Sequence, residues 1–185
     1  IACIKNKIME KPTINRKIPF FNVLFFLLFF APSMVFSQIA EKDSLSMMEV
    51  VHEFQESIIQ KDSIRFNQLF FNQSVNFVGV MSKETEWSIK KGYPEFQGVA
   101  VSDHKSFIQD ICKSEKKERE EFYNIELFTD SVIGSISFDY AFLSDDKMIQ
   151  WGQEKWNLIK ENEKWLITNV IYSIRFPHVE AFPFK

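Results

Sequence analysis

Cysteine is almost missing from this chain. Only Cys3 and Cys112 occur in 185 residues, and Cys3 falls in a segment expected to be removed. The remaining part then holds one thiol, which excludes an intrachain disulfide. A lone cysteine among apolar neighbours is most often a small buried hydrophobe, so Cys112 is expected inside a helix stripe and not as a nucleophile. Histidine is as scarce: His52, His104 and His178 stand far apart, without the ligand spacing of a metal site. No metal and no cofactor is expected. Repeats and low-complexity stretches are also missing.

Excess positive charge is the next absence. The first 37 residues carry five basic groups and one acidic group; the rest keeps 17 basic and 24 acidic groups, a net charge of −7. Binding to nucleic acid needs a basic footprint, so nucleic acid is excluded as a partner. Composition is otherwise globular, with 45% hydrophobic and 25% charged residues.

What is present begins with an export signal. Lys11, Arg16 and Lys17 precede the unbroken apolar run Val23–Ala31, which Pro32 and Ser33 break. Val35, Phe36 and Ser37 place modest side chains before Gln38, as a cleavage site requires. Residues 1–37 are therefore read as a signal peptide, with Met9 as the candidate start, and residues 38–185 as one domain. A spanning helix needs about 20 apolar residues, and Pro19, Asn22 and Pro32 interrupt this stretch. No stable membrane span is expected after cleavage, and the product is expected in the periplasm or outside the cell.

Residues 43–60 read as a helix, because Met47, Val51, Phe54 and Ile58 form one apolar stripe. Asp43 or Ser44 is its expected cap. Asp62 caps a short second helix, with Ile64, Phe66, Leu69 and Phe70. Val75–Met81 is strand-like, and residues 82–98 read as a loop holding Trp87, Tyr93 and Phe96. Ser102 or Asp103 caps a third helix bearing Phe107, Ile108, Ile111 and Cys112, with His104 in its first turn expected to be solvated. The charge run at 113–121 reads as a solvated helix end or turn. Then alternation takes over. Tyr123, Ile125 and Leu127 share one face. Val132, Gly134, Ile136, Phe138, Tyr140 and Phe142 share another, with Ser135, Ser137 and Asp139 opposite. Two long strands, 148–160 and 164–175, meet at Glu161-Asn162-Glu163, where Asn tolerates a left-handed backbone. The fold class is α+β, with three N-terminal helices packed on a strongly curved antiparallel sheet.

The final hairpin, EKWNLIKENEKWLITNVIYS at 154–173, resembles the nuclear transport factor 2-like superfamily, which includes SnoaL-like cyclases and ketosteroid isomerases. Trp165, Ile167, Tyr172 and Ser173 carry the likeness. Glu163 departs from it, standing where the family often has Gly. The resemblance implies a cone-shaped fold with a pocket between helices and sheet, and frequently a homodimer. Ser135, Ser137 and Asp139 are expected on the convex face where two sheets would meet.

Isomerase chemistry in such a pocket needs a buried carboxylate beside an oxyanion hole. The first helix lacks Tyr. His52 falls at the stripe's margin and Asp139 on the convex parity, which makes both weak catalytic candidates. The expected pocket lining is instead Phe54, Trp87, Phe96, Phe138, Tyr140, Trp156 and Asn169. Such a lining suits a small apolar or amphipathic molecule. The sequence therefore favours a binding or dimerisation module, with a general acid–base lyase, cyclase or isomerase as the alternative. A paired, deeply buried polar couple in the pocket would favour the alternative. The export reading predicts that protein recovered from its native compartment begins at Gln38 on N-terminal sequencing; retention of residues 10–36 would contradict cleavage.

Overall fold

The structure, a computed structural model, describes residues 21–183 except Gln73, with side chains from Glu41 onward. The expected n-region and Met9 lie outside the described residues. Internal contacts divide the chain into residues 1–37 and 38–185. In the first unit, a helix begins at Phe21, and it belongs to α1 (Phe21–Gln60). No helix of the described residues is long and apolar enough to cross a membrane.

The second unit continues α1 and adds α2 (Ser63–Asn67), β1 (Asn76–Met81), α3 (Lys83–Lys90), β2 (Val99–Asp103) and α4 (His104–Lys113). β3 (Glu118–Thr129), β4 (Ile133–Ser144), β5 (Lys147–Glu161) and β6 (Lys164–Ile174) follow. Six strands form one sheet in the order β2-β1-β6-β5-β4-β3. β3 to β6 is the expected antiparallel meander, but β1 lies parallel to β6. The sheet is therefore mixed and not antiparallel throughout. The long connection between β1 and β6, which holds α3, α4 and four strands, lets β6 return beside β1 in the same direction.

The α1 stripe behaves as its spacing predicts: Met47, Val51, Phe54 and Ile58 are all buried. Asp62 caps α2 through the amides of Ile64 and Arg65, and Asp103 caps α4 through that of Ser106. Asp43 is no cap, because α1 runs straight through it. It is buried and accepts a hydrogen bond from Lys160 Nζ at 2.8 Å. Phe54 sits at the centre of an aromatic core, 4.8 Å from Phe66, 4.6 Å from Trp156 and 6.1 Å from Phe122 between ring centroids.

Several further readings are corrected. Val132 lies in the bend before β4 and is 65% exposed, so the buried face begins at Gly134. Residues 82–98 contain α3, started by Ser82, whose hydroxyl accepts the Thr85 amide at 3.1 Å. His104 is not solvated: it is 1% exposed, stacks on Phe70 at 4.3 Å and accepts the Val75 amide through Nδ1 at 3.1 Å. Burial lowers its pKa. Cys112 turns outward, and its thiol reaches the Lys61 carbonyl. The charge run is not all solvated, since β3 begins at Glu118 and buries Glu118 and Glu120. A bulge at Asn124, with φ 51, then moves Tyr123 off the face that Ile125 and Leu127 share.

The C-terminal segment folds back over β5. Glu180 accepts hydrogen bonds from Ser82 and Thr85, pairs with Arg175 at 3.3 Å, and receives Trp151 Nε1 on its carbonyl at 2.9 Å. Phe182 lies against Trp151 and Tyr123.

Both tight hairpins put two consecutive residues at positive φ: Asp145 and Asp146 at 49° and 62°, Asn162 and Glu163 at 49° and 62°. This is the turn class that suits the right-handed strand twist, and Glu163 occupies a position where glycine costs less. Glu163→Gly should therefore raise stability by about 0.5 kcal/mol, because relief of the left-handed side chain outweighs glycine's added chain entropy. Thermal unfolding should show a small rise in Tm; a fall would mean that the exposed Glu163 pairs with Lys42 and Lys160 matter more than the turn.

Candidate active site

The inner face of the sheet carries three carboxyl groups, two of which meet in one chamber. On β5 the inward residues are Gln150, Gly152, Glu154, Trp156 and Leu158; on β3 they are Glu118, Glu120 and Phe122. Register places Phe138 of β4 and Tyr172 of β6 on either side of Glu154. Glu120 pairs with Phe142, which pairs with Gln150. Glu120, Glu154, Tyr140 and Tyr172 thus converge around a narrow chamber of about 20 Å³, which Phe54, Phe77 and Phe107 cover from the other side.

Two glycines make this crowding feasible. A Cβ on Gly79 of β1 would stand 2.8 Å from the Tyr172 ring, and one on Gly152 would stand 1.9 Å from the Ser173 carbonyl. Tyr140 reaches across at Gly152 and donates to that carbonyl at 2.9 Å. Its hydroxyl is therefore committed as a donor. The two tyrosine rings meet edge to face, 6.1 Å apart.

Electrostatics follow from burial without compensation. Glu120 is 6% and Glu154 5% exposed, and no lysine or arginine lines the chamber among the described residues. Burial raises the pKa of Glu154 to about 7, against a hydrogen bond from Trp156 Nε1 at 2.5 Å that favours its charged form. Burial pushes Glu120 well above the usual carboxyl range, and its neighbour Glu154 adds to the rise. Glu120 Oε2 has no protein partner. Burial also lifts Tyr172 to about 12 and Tyr140 well above its ordinary value. The arrangement holds one carboxylic acid protonated beside another that ionises near neutrality, which is the separation of roles acid–base chemistry needs.

The expected site residues divide. Phe54 and Tyr140 line the chamber. Phe138 and Trp156 stand directly behind it, packed edge to face at 5.0 Å, with Trp156 holding Glu154. Asn169 is turned away: the β-bulge near Asn157 puts it opposite that residue, whose side-chain amide donates to it at 2.7 Å on the outer face. Trp87 is 66% exposed on α3 under Lys91, and Phe96 is partly exposed in the following loop. His52 is exposed. Asp139 lies on the outer face as parity predicts, accepting from Asn124 at 2.8 Å. Glu120 and Glu154 are the residues that sequence reasoning missed. The signal for Glu154 was its shared parity with Trp156 and Leu158; Glu120 was hidden in the charge run.

No protein-family profile and no curated protein matches the chain. Solved structures do. A provisionally assigned scytalone dehydratase from Novosphingobium aromaticivorans DSM 12444 superposes with a TM-score of 0.57 at 9% identity, over 76% of this chain and 89% of that one. A provisionally assigned dehydratase of the nuclear transport factor 2-like family from Streptomyces avermitilis gives 0.55 at 10%, over 74% and 99%. A cystatin-like protein of unknown function from Nostoc punctiforme PCC 73102 gives 0.52 at 14%, over 76% and 94%. The chain has the nuclear transport factor 2-like, or cystatin-like, fold. At such identities the likeness speaks to fold alone.

The chamber makes a stability prediction. A carboxyl whose folded pKa is raised contributes stability below its unfolded pKa and loses it as pH rises through the folded value. For Glu154 that window runs from the ordinary carboxyl range to about 7. Glu154→Gln removes the penalty while keeping an acceptor for Trp156. It should be more stable than the parent at pH 8 by on the order of 2 kcal/mol, and about equal at pH 4, by urea unfolding at both values. Equal stability at both would show that Glu154 is not strained.

Proposed function

We propose that this domain is an exported general acid–base catalyst that moves a proton within a small carbonyl compound, by isomerisation or by loss of water. The observation that supports this most is the pair Glu120 and Glu154, buried together without a cation. Ionised Glu154 takes a proton from a carbon beside a carbonyl. The electron pair becomes a new double bond. Protonated Glu120 delivers its proton either to the carbonyl oxygen, giving an enol, or, in a β-hydroxy compound, to the hydroxyl oxygen, whose bond to carbon breaks as the double bond forms so that it departs as water. Tyr172, which remains protonated, donates to the developing oxyanion. Trp156 aligns Glu154 by holding Oε1, and Tyr140 is a positioning residue through Ser173. Such groups typically contribute 10²–10⁴-fold each. The binding-module reading rested on counting no inward carboxylate, and this pair removes that basis.

Incubation with β-hydroxy ketones and enolisable cyclic ketones in D₂O, followed by proton NMR, should show α-deuteration or enone formation. The rate should rise with pH through about 7 as Glu154 loses its proton. Glu154→Gln and Glu120→Gln should each lower it by at least ~10², while His52→Ala and Asp139→Asn leave it unchanged. Retention of a small molecule on purification, with no exchange that depends on Glu154, would restore the binding reading.

We also propose a homodimer through the outer sheet face. Phe128, Ile133 and Ile171 are 70%, 55% and 44% exposed there, interspersed with Ser135 and Ser137 of the same parity. Light scattering at micromolar concentration should give twice the monomer mass; a monomer throughout would refute it.

A further inference from the structure

The chamber of about 20 Å³ is a space for one water molecule, whereas ligand pockets run to roughly 300–1,000 Å³. A second cavity of about 340 Å³ lies between α4 and the sheet, lined by Ser106, Phe107, Asp110, Ile111, Glu118 and Phe142 together with Ser102. The two cavities are successive stations along the same strands. Glu118 and Glu120 are next-but-one neighbours on the inner face of β3, and Phe142 and Tyr140 are the same on β4, about 7 Å apart in each case. Phe107 is the one residue common to both linings. Of the three rings over the chamber, Phe54 and Phe77 are 1% and 3% exposed, and only Phe107 is partly exposed. Phe107 itself packs on the rings of Phe54, Phe66 and Phe77 at 6.3, 5.7 and 5.4 Å, so its partial exposure is what sets it apart from the other two.

We propose that the groove beside α4 is the outer part of the ligand site, that Phe107 is the partition between groove and chamber, and that the ligand is uncharged or cationic. This rests on the acid–base reading for what happens at the inner end. Rotation of the Phe107 side chain joins the two spaces into a pocket of ligand size. Sign of charge follows from the walls. Asp110 and Glu118 face the groove, Glu120 and Glu154 the chamber, and no lysine or arginine lines either among the described residues. Glu118 accepts from Ser114 at 2.6 Å and from Ser144 at 3.1 Å on one oxygen, while its other oxygen has no protein partner. An anionic ligand meets four carboxyl groups, and the one cation paired with any of them among the described residues is Lys113, 3.7 Å from the exposed Asp110 at the groove's outer edge. A flat ring bearing a hydroxyl or amine finds aromatic walls inside and acceptors outside.

The probes are benzyl alcohol, benzylamine and benzoate, which share a ring and differ in charge. Binding is read by the Trp156 indole N–H resonance, because that group is fully buried and bound to Glu154. Benzyl alcohol and benzylamine should shift it, and benzoate should bind at least tenfold more weakly at pH 8. Phe107→Ala should accelerate probe exchange at least tenfold, and Phe107→Trp should slow it; Phe107→Leu serves if the alanine variant does not fold. Benzoate binding as well as benzylamine, or exchange insensitive to residue 107 in folded variants, overturns the proposal, as does a Trp156 resonance that none of the probes moves. The readout needs no turnover, so lost ketone exchange with intact probe binding would sink the catalytic reading alone.

Discussion

Two carboxyl groups share one aromatic chamber with no cation to balance them. An isolated buried charge is costly enough that the group takes a proton instead, so Glu120 and Glu154 hold protons well above the usual carboxyl range. Placing both there takes the inner face of three neighbouring strands, and keeping water out takes the rings of α1, β1 and α4. Fold and site are one arrangement: the aromatic core that stabilises the domain is the wall that shifts its acids.

The sheet supplies the precision. Glu154 is held from its own strand by Trp156, Tyr140 from β6 by Ser173, and the backbone of Glu120 from α1 by Gln55, which donates at 2.9 Å. Glycine at 79 and 152 admits the close approaches around Tyr172 and Tyr140. Sites built on packed strands hold geometry better than sites on loops.

Periodicity made much of the fold legible. The α1 stripe, the caps at Asp62 and Asp103, the β4 alternation and the left-handed hairpin at Asn162 all follow from local rules. The parallel pairing of β1 with β6 does not, because no local pattern encodes which edge a returning strand joins. The site was harder to read, since burial of a charged residue opposes what charge predicts. Glu120 sits in a run that looks solvated, and a bulge at Asn124 breaks the parity that would have exposed it. Asn169 misled for the same reason: the bulge near Asn157 reverses the side on which it falls.

The return of the chain beyond β6 has an architectural meaning of its own. Glu180 and Phe182 tie α3, β5 and β3 together, three elements of which β5 and β3 flank β4 and α3 follows β1. The last turn of polypeptide works as a keystone set after the arch is raised: its groups find their partners only once α3 and β5 are already in place. Removing residues from 176 onward would strip α3 of its bonds to Phe176 and Glu180 and leave the Ser82 amide on the Ile174 carbonyl as its remaining tie to β6.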